Sequence, residues 1–306
     1  MQAARNIFLI RPANFRFNPE TAVTNEFQKT TDEDDNLLEQ NALAEFDQFV
    51  KALCSNGITI RVVEDTEFPQ KPDAVFPNNW VSFHPDGTVV LYPMCAENRR
   101  SERRLDIIEA LRSEFRIEKI IDLSHFENEG RFLEGTGSIV FDHANKTAYA
   151  CISPRTDPGL FKDLSQGLGY RPISFHAADA NGRAIYHTNV MMTIGPGFAV
   201  ICLESIRDQS EQTWVIETLR AGGLDVIEIS LAQMNCFAGN MLAVSGCGQT
   251  TFLVLSTNAL DSFTKEQRTA MERHCELLPV AIPTIESVGG GGVRCMMAEV
   301  FLPSAS

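Results

Sequence analysis

HTNVMMTIGPGFAVICLESI, His187 to Ile206, reads as an apolar strand, a Gly-Pro-Gly turn and a second apolar strand, all opened by one histidine. A helix pattern follows from Ser210 to Ala221, then the strand-like LDVIEIS. The same order recurs on both sides of this block. Upstream, Glu134 opens EGTGSIVFDHANKTAYACISPR, with a helix pattern near Gly159 to Gly167. Further upstream, FPNNWVSFHPDGTVVLYPM (Phe76 to Met94) places two strands around the turn HPDG. ENRRSERRLDIIEALRSEF (Glu97 to Phe115) then reads as one amphipathic helix with Leu105, Ile108 and Leu111 on its apolar face, before the strand IEKIIDLSHF. Downstream, Asn240 opens NMLAVSGCGQTTFLVLS, followed by a helix from Lys265 to His274 and the strand LLPVAIP. Cys295 opens a last strand, CMMAEVFL.

The openers Asn79, Glu134, His187, Asn240 and Cys295 are separated by steps of 55, 53, 53 and 55 residues. A period near 50 residues marks units too small to bury their own sheet faces, so they must share a core. Four units are complete. The N-terminal strand Ile7 to Arg11, helix Leu37 to Cys54 and strand Ile58 to Val63 combine with the C-terminal strand as a fifth. The expected fold is therefore α/β: a five-bladed pseudo-symmetric α/β-propeller of ββαβ units, closed by the N- and C-terminal segments, in one domain over residues 1–306. A closed ring has no open sheet edge. It would also aim the five openers into a central well, where a carboxylate, an imidazole and a thiol meet.

Composition bounds the function. The chain has 306 residues, a net charge of −14 and 44% apolar residues. That charge repels phosphate backbones and anionic membranes, which argues against a nucleic-acid partner. No run approaches the roughly 18–20 apolar residues of a membrane span, and MQAARNIFLIRPANF reads as a first strand, not a signal peptide. Eight cysteines stand singly, without CxxC pairs or metal-ligand spacing. The expectation is a cytoplasmic protein with reduced thiols and no metal or cofactor. It would act on a small amino acid, with homo-oligomerisation left open.

Cys295 follows GGGGVR, where glycines allow close approach of backbone to a ligand and Arg294 can lower the thiol pKa from about 8.5. That combination favours a nucleophile over a buried apolar thiol. His187 in YHTN is then the expected acid/base, and Glu134 in FLEGTGS the group that binds substrate N–H and orients the imidazole. Asn78 and Asn79 offer donors and acceptors without charge, suited to a planar amide or urea. Asn240 reads as structural, and Trp80 and Phe83 as core. His84, His125, His143 and His176 have no ligand spacing and read as surface or turn residues. The acidic stretch Thr30 to Gln40 reads as a solvated loop leading into a helix, with Gln28 to Asn36 a lid only if it moves.

LEGTGS, YHTN and GGGGVRCMMAE together resemble the arginine deiminase and amidinotransferase superfamily of guanidino-group-modifying enzymes. RPANFRFNPETAVTNEFQ (Arg11 to Gln28) is most similar to the citrulline utilisation hydrolase branch. The resemblance runs over nearly the whole chain. It implies the five-unit propeller and covalent catalysis without metal or cofactor, with Cys295 as nucleophile, His187 as general acid/base and Glu134 as substrate-binding carboxylate. It implies two departures as well. Deiminases carry aspartates where this chain has Asn79 and Asn189. Each exchange removes a charge-assisted hydrogen bond of about 1.5–3 kcal/mol to a guanidinium, so a neutral ureido group suits the site better. Arginine dihydrolases also resemble this arrangement, and Asn18 in FRFNPE corresponds to one of their asparagines. Arg99 matches a position that holds a substrate carboxylate, and reads equally as a surface arginine at a helix start. The expected reaction is citrulline to ornithine, ammonia and carbon dioxide. The alternatives are arginine dihydrolysis or deimination, and a non-catalytic binder of an arginine-like amino acid.

Overall fold

The computed structural model describes residues 1–305. Its strands are β1 (Asn6–Arg11), β2 (Thr59–Glu64), β3 (Val81–Phe83), β4 (Thr88–Leu91), β5 (Lys119–Asp122), β6 (Val140–Asp142), β7 (Thr147–Cys151), β8 (Arg171–Phe175), β9 (Met192–Gly195), β10 (Phe198–Ile201), β11 (Asp225–Glu228), β12 (Leu242–Ser245), β13 (Thr251–Ser256), β14 (Glu276–Val280) and β15 (Ala298–Val300).

One pairing scheme repeats along the chain. The first strand of each triplet pairs antiparallel with the second, and the second pairs parallel with the third. It holds for β3-β4-β5, β6-β7-β8, β9-β10-β11 and β12-β13-β14. The fifth instance uses both ends of the chain: β15 pairs antiparallel with β1, and β1 pairs parallel with β2. Antiparallel partners need only a tight turn, such as that at Gly87 (φ 80). Parallel partners need a crossover, and helices such as Asp35–Ser55, Pro158–Gly167 and Gln209–Ala221 provide it. Asp34, Asp157 and Asp208 cap those helices by accepting backbone N–H bonds in the first turn.

The architecture is mixed α/β. Its strands lie in one six-stranded sheet, order β2-β1-β15-β3-β4-β5, and three separate three-stranded sheets. Among the described residues no sheet closes on itself, so the expected closure extends only to the pairing of the two chain ends. The core divides into four apolar clusters. Trp80 and Phe83 are both buried, each edge-on to Phe8.

Two local expectations are corrected. Glu97 to Phe115 is not one helix: a 3₁₀ segment spans Glu97–Glu102, and an α-helix spans Leu105–Leu111 after extended backbone at Arg103 and Arg104. The 3₁₀ turn eclipses positions i and i+3, which brings Arg99 onto Glu102 in a buried pair at 2.8 Å. Leu105 consequently faces solvent, while Ile107, Ile108 and Leu111 are buried. His84 is buried, bonded to the Ser82 hydroxyl at 2.8 Å, and His143 is bonded to the Tyr170 hydroxyl at 2.7 Å. Burial of His84 departs from the surface or turn role expected, whereas His143 is half-buried in the turn between β6 and β7 and His125 and His176 are exposed, as expected.

Candidate active site

The openers do not begin strands; each of the five sits a few residues ahead of one, Asn240 before β12. Asn79 ends the 3₁₀ turn Pro77–Asn79, Glu134 and His187 precede the short helices Gly135–Ser138 and Thr188–Met191, and Cys295 lies in the turn before β15. Asn79, His187 and Cys295 line one small cavity of about 20 Å³, together with Thr21, Asn25, Asp73, Phe76, Arg99, Arg155, Tyr186 and Gly289 to Gly291. Glycine is required at two points, one behind Asn79 and His187 and one in the wall itself. A Cβ on Gly137 would stand 2.5 Å from Asn79 Nδ2 and 2.7 Å from His187 Nδ1. Gly290 adopts φ +66, a left-handed conformation that side chains disfavour.

Glu134 is fully buried but does not line the cavity. Its Oε2 accepts from His187 Nε2 at 2.8 Å and from Arg155 Nη1 at 3.4 Å, while Oε1 accepts from the Cys95 amide at 2.9 Å. It therefore stands behind the imidazole, not against a ligand. Burial raises its pKa, but Arg155, the His187 bond and Arg99 outweigh that and hold the carboxyl well below its usual range. A carboxylate only accepts, so His187 donates from Nε2 and keeps the Nδ1 lone pair free. Burial pushes the imidazole down to about 4 against the opposing pull of Glu134, leaving it neutral near pH 7.

Cys295 Sγ receives Asn240 Nδ2 at 3.3 Å and Asn189 Nδ2 at 3.5 Å. Asn240 Oδ1 accepts the Arg294 amide at 3.1 Å, which fixes its NH₂ toward sulfur. Burial nevertheless raises the thiol pKa; the two amides, Arg294 and Arg99 only oppose that rise. The expected net lowering by Arg294 is thus corrected. Its guanidinium turns away, to the Met297 carbonyl at 2.8 Å and Glu299 at 3.0 Å.

Arg99 points inward and is buried. Its fork is filled by Glu102, at 2.9 and 2.8 Å, and its Nη1 donates to Asn79 Oδ1 at 2.8 Å. It is not free to clamp a carboxylate. The Arg99 guanidinium has no acceptor, so the Asn79 amide must present oxygen to it and Nδ2 to the other side. That Nδ2 is buried without a hydrogen-bond partner among the described residues, as are Asp73 Oδ1 and Asn189 Oδ1. Asn18 lies outside the lining, donating to Asp73 Oδ2 at 2.7 Å. The roof is the segment from Asn18 to Gln28, not Gln28 to Asn36. Asn25 bonds the Gly290 carbonyl at 3.1 Å and Arg155 bonds the Thr21 carbonyl at 2.8 Å, whereas Thr30 to Asn36 are exposed.

Sequence reasoning missed Asp73, Arg155 and Tyr186, and gave Asn240 only a structural part. Asp73 stands six residues before Asn79 and Arg155 closes the unit opened by Glu134, so neither occupies the repeating opener position. No cluster of three or more His, Cys, Asp or Glu is placed to hold a metal among the described residues, all eight cysteines are free thiols, and no helix is long and apolar enough to cross a membrane. A thiol, a neutral imidazole and unmatched amide and carboxylate groups around one small cavity can add to and release a planar C–N carbon.

Among curated proteins none matches the sequence significantly. Solved structures do match the fold. An arginine dihydrolase from the ornithine–ammonia cycle in cyanobacteria, ArgZ, superposes with a TM-score of 0.75 at 14% identity, covering 97% of this chain and 41% of that one. This chain thus spans about two fifths of that protein. It covers 98% of the substrate-bound N-terminal domain of ArgZ, at TM-score 0.74 and 13% identity. A dimethylarginine dimethylaminohydrolase with S-methyl-L-thiocitrulline attached matches at TM-score 0.64 and 16% identity, over 96% of this chain and 99% of that one. The sequence itself matches, over residues 11–302, the family described as N,N dimethylarginine dimethylhydrolase, eukaryotic. The chain belongs to that family, within the guanidino-group-modifying amidinotransferase superfamily.

Proposed function

We propose that this protein is a thiol-dependent hydrolase of the ureido group of a small amino acid, with citrulline as its first substrate. The observation that carries this reading is the orientation of Asn79. With its oxygen held by Arg99 at 2.8 Å, its buried Nδ2 offers a donor beside His187. A ureido oxygen accepts that donor; a guanidinium carries only donors and leaves it unmatched.

In the proposed reaction the Cys295 proton passes to His187 as sulfur attacks the ureido carbon. The imidazolium returns the proton to the departing amine, leaving a thiocarbamate on sulfur. His187 Nδ1 then deprotonates water, which attacks the same carbon and expels Cys295. The carbamic acid released breaks down to carbon dioxide and the second amine, so one water is consumed in all. Glu134 holds the imidazole and stabilises its charged form, while Asn189 and Asn240 donate to the developing thiolate. The five strand triplets act as blades of a single propeller domain. Supporting this are the parallel bridge of Ala4 to Val244 and the Gln2 amide, which joins two neighbouring triplets at the Phe141 and Ile194 carbonyls.

A second reading, arginine dihydrolysis, is favoured by Asp73, which lines the cavity with its buried Oδ1 unpartnered among the described residues and so suits a cation. It is favoured too by the likeness to ArgZ. Ammonia release from citrulline, arginine, agmatine and methylated arginines, with wild type and Cys295→Ser, separates the two. Release from citrulline and none from arginine supports the first reading. Two ammonia per arginine supports the second, and one indicates deimination. No turnover of any compound overturns both in favour of a binding protein.

A further inference from the structure

A second cleft lies beside the roof of the active cavity. It has a volume of about 590 Å³ and includes Phe27, Lys29, Phe237, Asn258 and Glu286 in its walls. Glu286 is the unusual member, because its side chain is only 4% exposed yet carries no cationic partner. Its Oε1 has no hydrogen-bond partner among the described residues, and its Oε2 has only the Asn258 amide at 3.4 Å. A buried carboxylate with no cation beside it is costly, and burial pushes this one up to about 7 against the opposing pull of the Ser256 hydroxyl and the Asn258 amide. Glu26 and Asp179 also border the cleft, against a single lysine. Phe27 and Phe237, 5.2 Å apart between ring centres, give it an aromatic wall.

We propose that this cleft is a second binding site, for a small organic cation bearing an ammonium or guanidinium head. Glu286 and Asn258 take the N–H donors of the head, and the aromatic wall takes its alkyl stem and offers cation–π contact. The site is separate from the reacting centre but shares a wall with it. Glu286 lies on the π-helical turn Ile285–Gly289, whose last residue lines the active cavity, and such turns recur at functional sites. Lys29 and Gln28 bond that turn through the Ser287 and Val288 carbonyls, at 2.7 and 3.2 Å.

The test is calorimetric titration of n-butylguanidinium into wild type, Glu286→Gln, Lys29→Glu and Asp73→Asn. Glu286→Gln removes the acceptor charge and is expected to weaken binding on the order of tenfold or more. Lys29→Glu, an exposed change, strengthens binding about threefold, and Asp73→Asn, in the active cavity, leaves it unchanged. Melting temperatures confirm that each variant is folded. No heat with wild type, equal binding by Glu286→Gln, or loss of binding in Asp73→Asn overturns the proposal.

Discussion

Arg99 Nη1 donates to Asn79 Oδ1 at 2.8 Å, and this one bond decides which face Asn79 shows to the cavity. Behind it, Glu102 grips the same guanidinium at 2.9 and 2.8 Å. Exchanging Asn79 for aspartate removes the inward donor and substitutes an acceptor. Asn79→Asp should lower kcat/KM for citrulline by about 30- to 150-fold, the equivalent of roughly 2–3 kcal/mol for one charge-sensitive hydrogen bond. Steady-state kinetics on the folded variant check this. An unchanged kcat/KM would remove Asn79 from substrate recognition.

Glu102 is a positioning residue in this account, acting on Asn79 through Arg99. Glu102→Gln keeps the shape but releases one arm of the Arg99 fork. KM for citrulline should rise about tenfold while kcat changes less, because the lost interaction holds substrate and transition state alike. A purely structural Glu102 would lower the melting temperature and leave KM alone.

His187 donates its Nε2–H hydrogen bond to the Glu134 carboxylate and keeps Nδ1 as the base. Glu134→Gln can donate to Nε2 and so favours the opposite tautomer, with Nδ1 protonated. Turnover should fall on the order of 10²- to 10⁴-fold with little change in KM. Wild-type kcat in this variant would show that the pair has no part in proton transfer.

The free thiol is held above its ordinary range by burial, with Asn240 and Asn189 opposing. Alkylation of Cys295 by neutral 2-chloroacetamide proceeds through the thiolate. Its rate should therefore still be rising above pH 8.5, the usual cysteine value of about 8.5 being too low here. Asn240→Ala removes a donor from sulfur and should move the profile further up. A plateau below pH 8 would contradict the burial argument.

His84 makes an acid-stability prediction away from the site. Burial pushes it down to about 4, whereas in the unfolded chain it titrates near 6.5. Between those values the unfolded state binds the extra proton, so the native state loses stability as pH falls from about 6.5 to 4. At pH 5 the cost is on the order of 2 kcal/mol. His84→Gln should narrow the difference in melting temperature between pH 7 and pH 5. An unaltered difference would show that His84 is protonated in the native state.

Much of this arrangement is legible in the sequence, because period and turn chemistry are local. The 53- to 55-residue spacing brings out five strand triplets, and GPG and HPDG mark their turns. Side-chain partnership is not local. ENRRSE looks helical until Arg99 and Glu102 are seen to need 3₁₀ eclipsing for their buried pair. Glu134 occupies an opener position like His187, yet it faces the imidazole because Arg155 and the Cys95 amide draw it there. Asn240 reads as a loop anchor, and it is one; the same amide also reaches sulfur 55 residues away at 3.3 Å. Asp73 carries no periodic signal, since its role depends on Asn18 and Thr21 folding over it.

The account rests on covalent attack by Cys295. Wild type mixed with citrulline, quenched in acid within turnover and digested, should show the Cys295 peptide carrying a thiocarbamate mass. His187→Gly lacks both the base that takes the thiol proton and the acid that releases the amine, so its Cys295 peptide should stay unmodified. Undiminished turnover by Cys295→Ala, or steady turnover with residue 295 unmodified at every quench time, would contradict it.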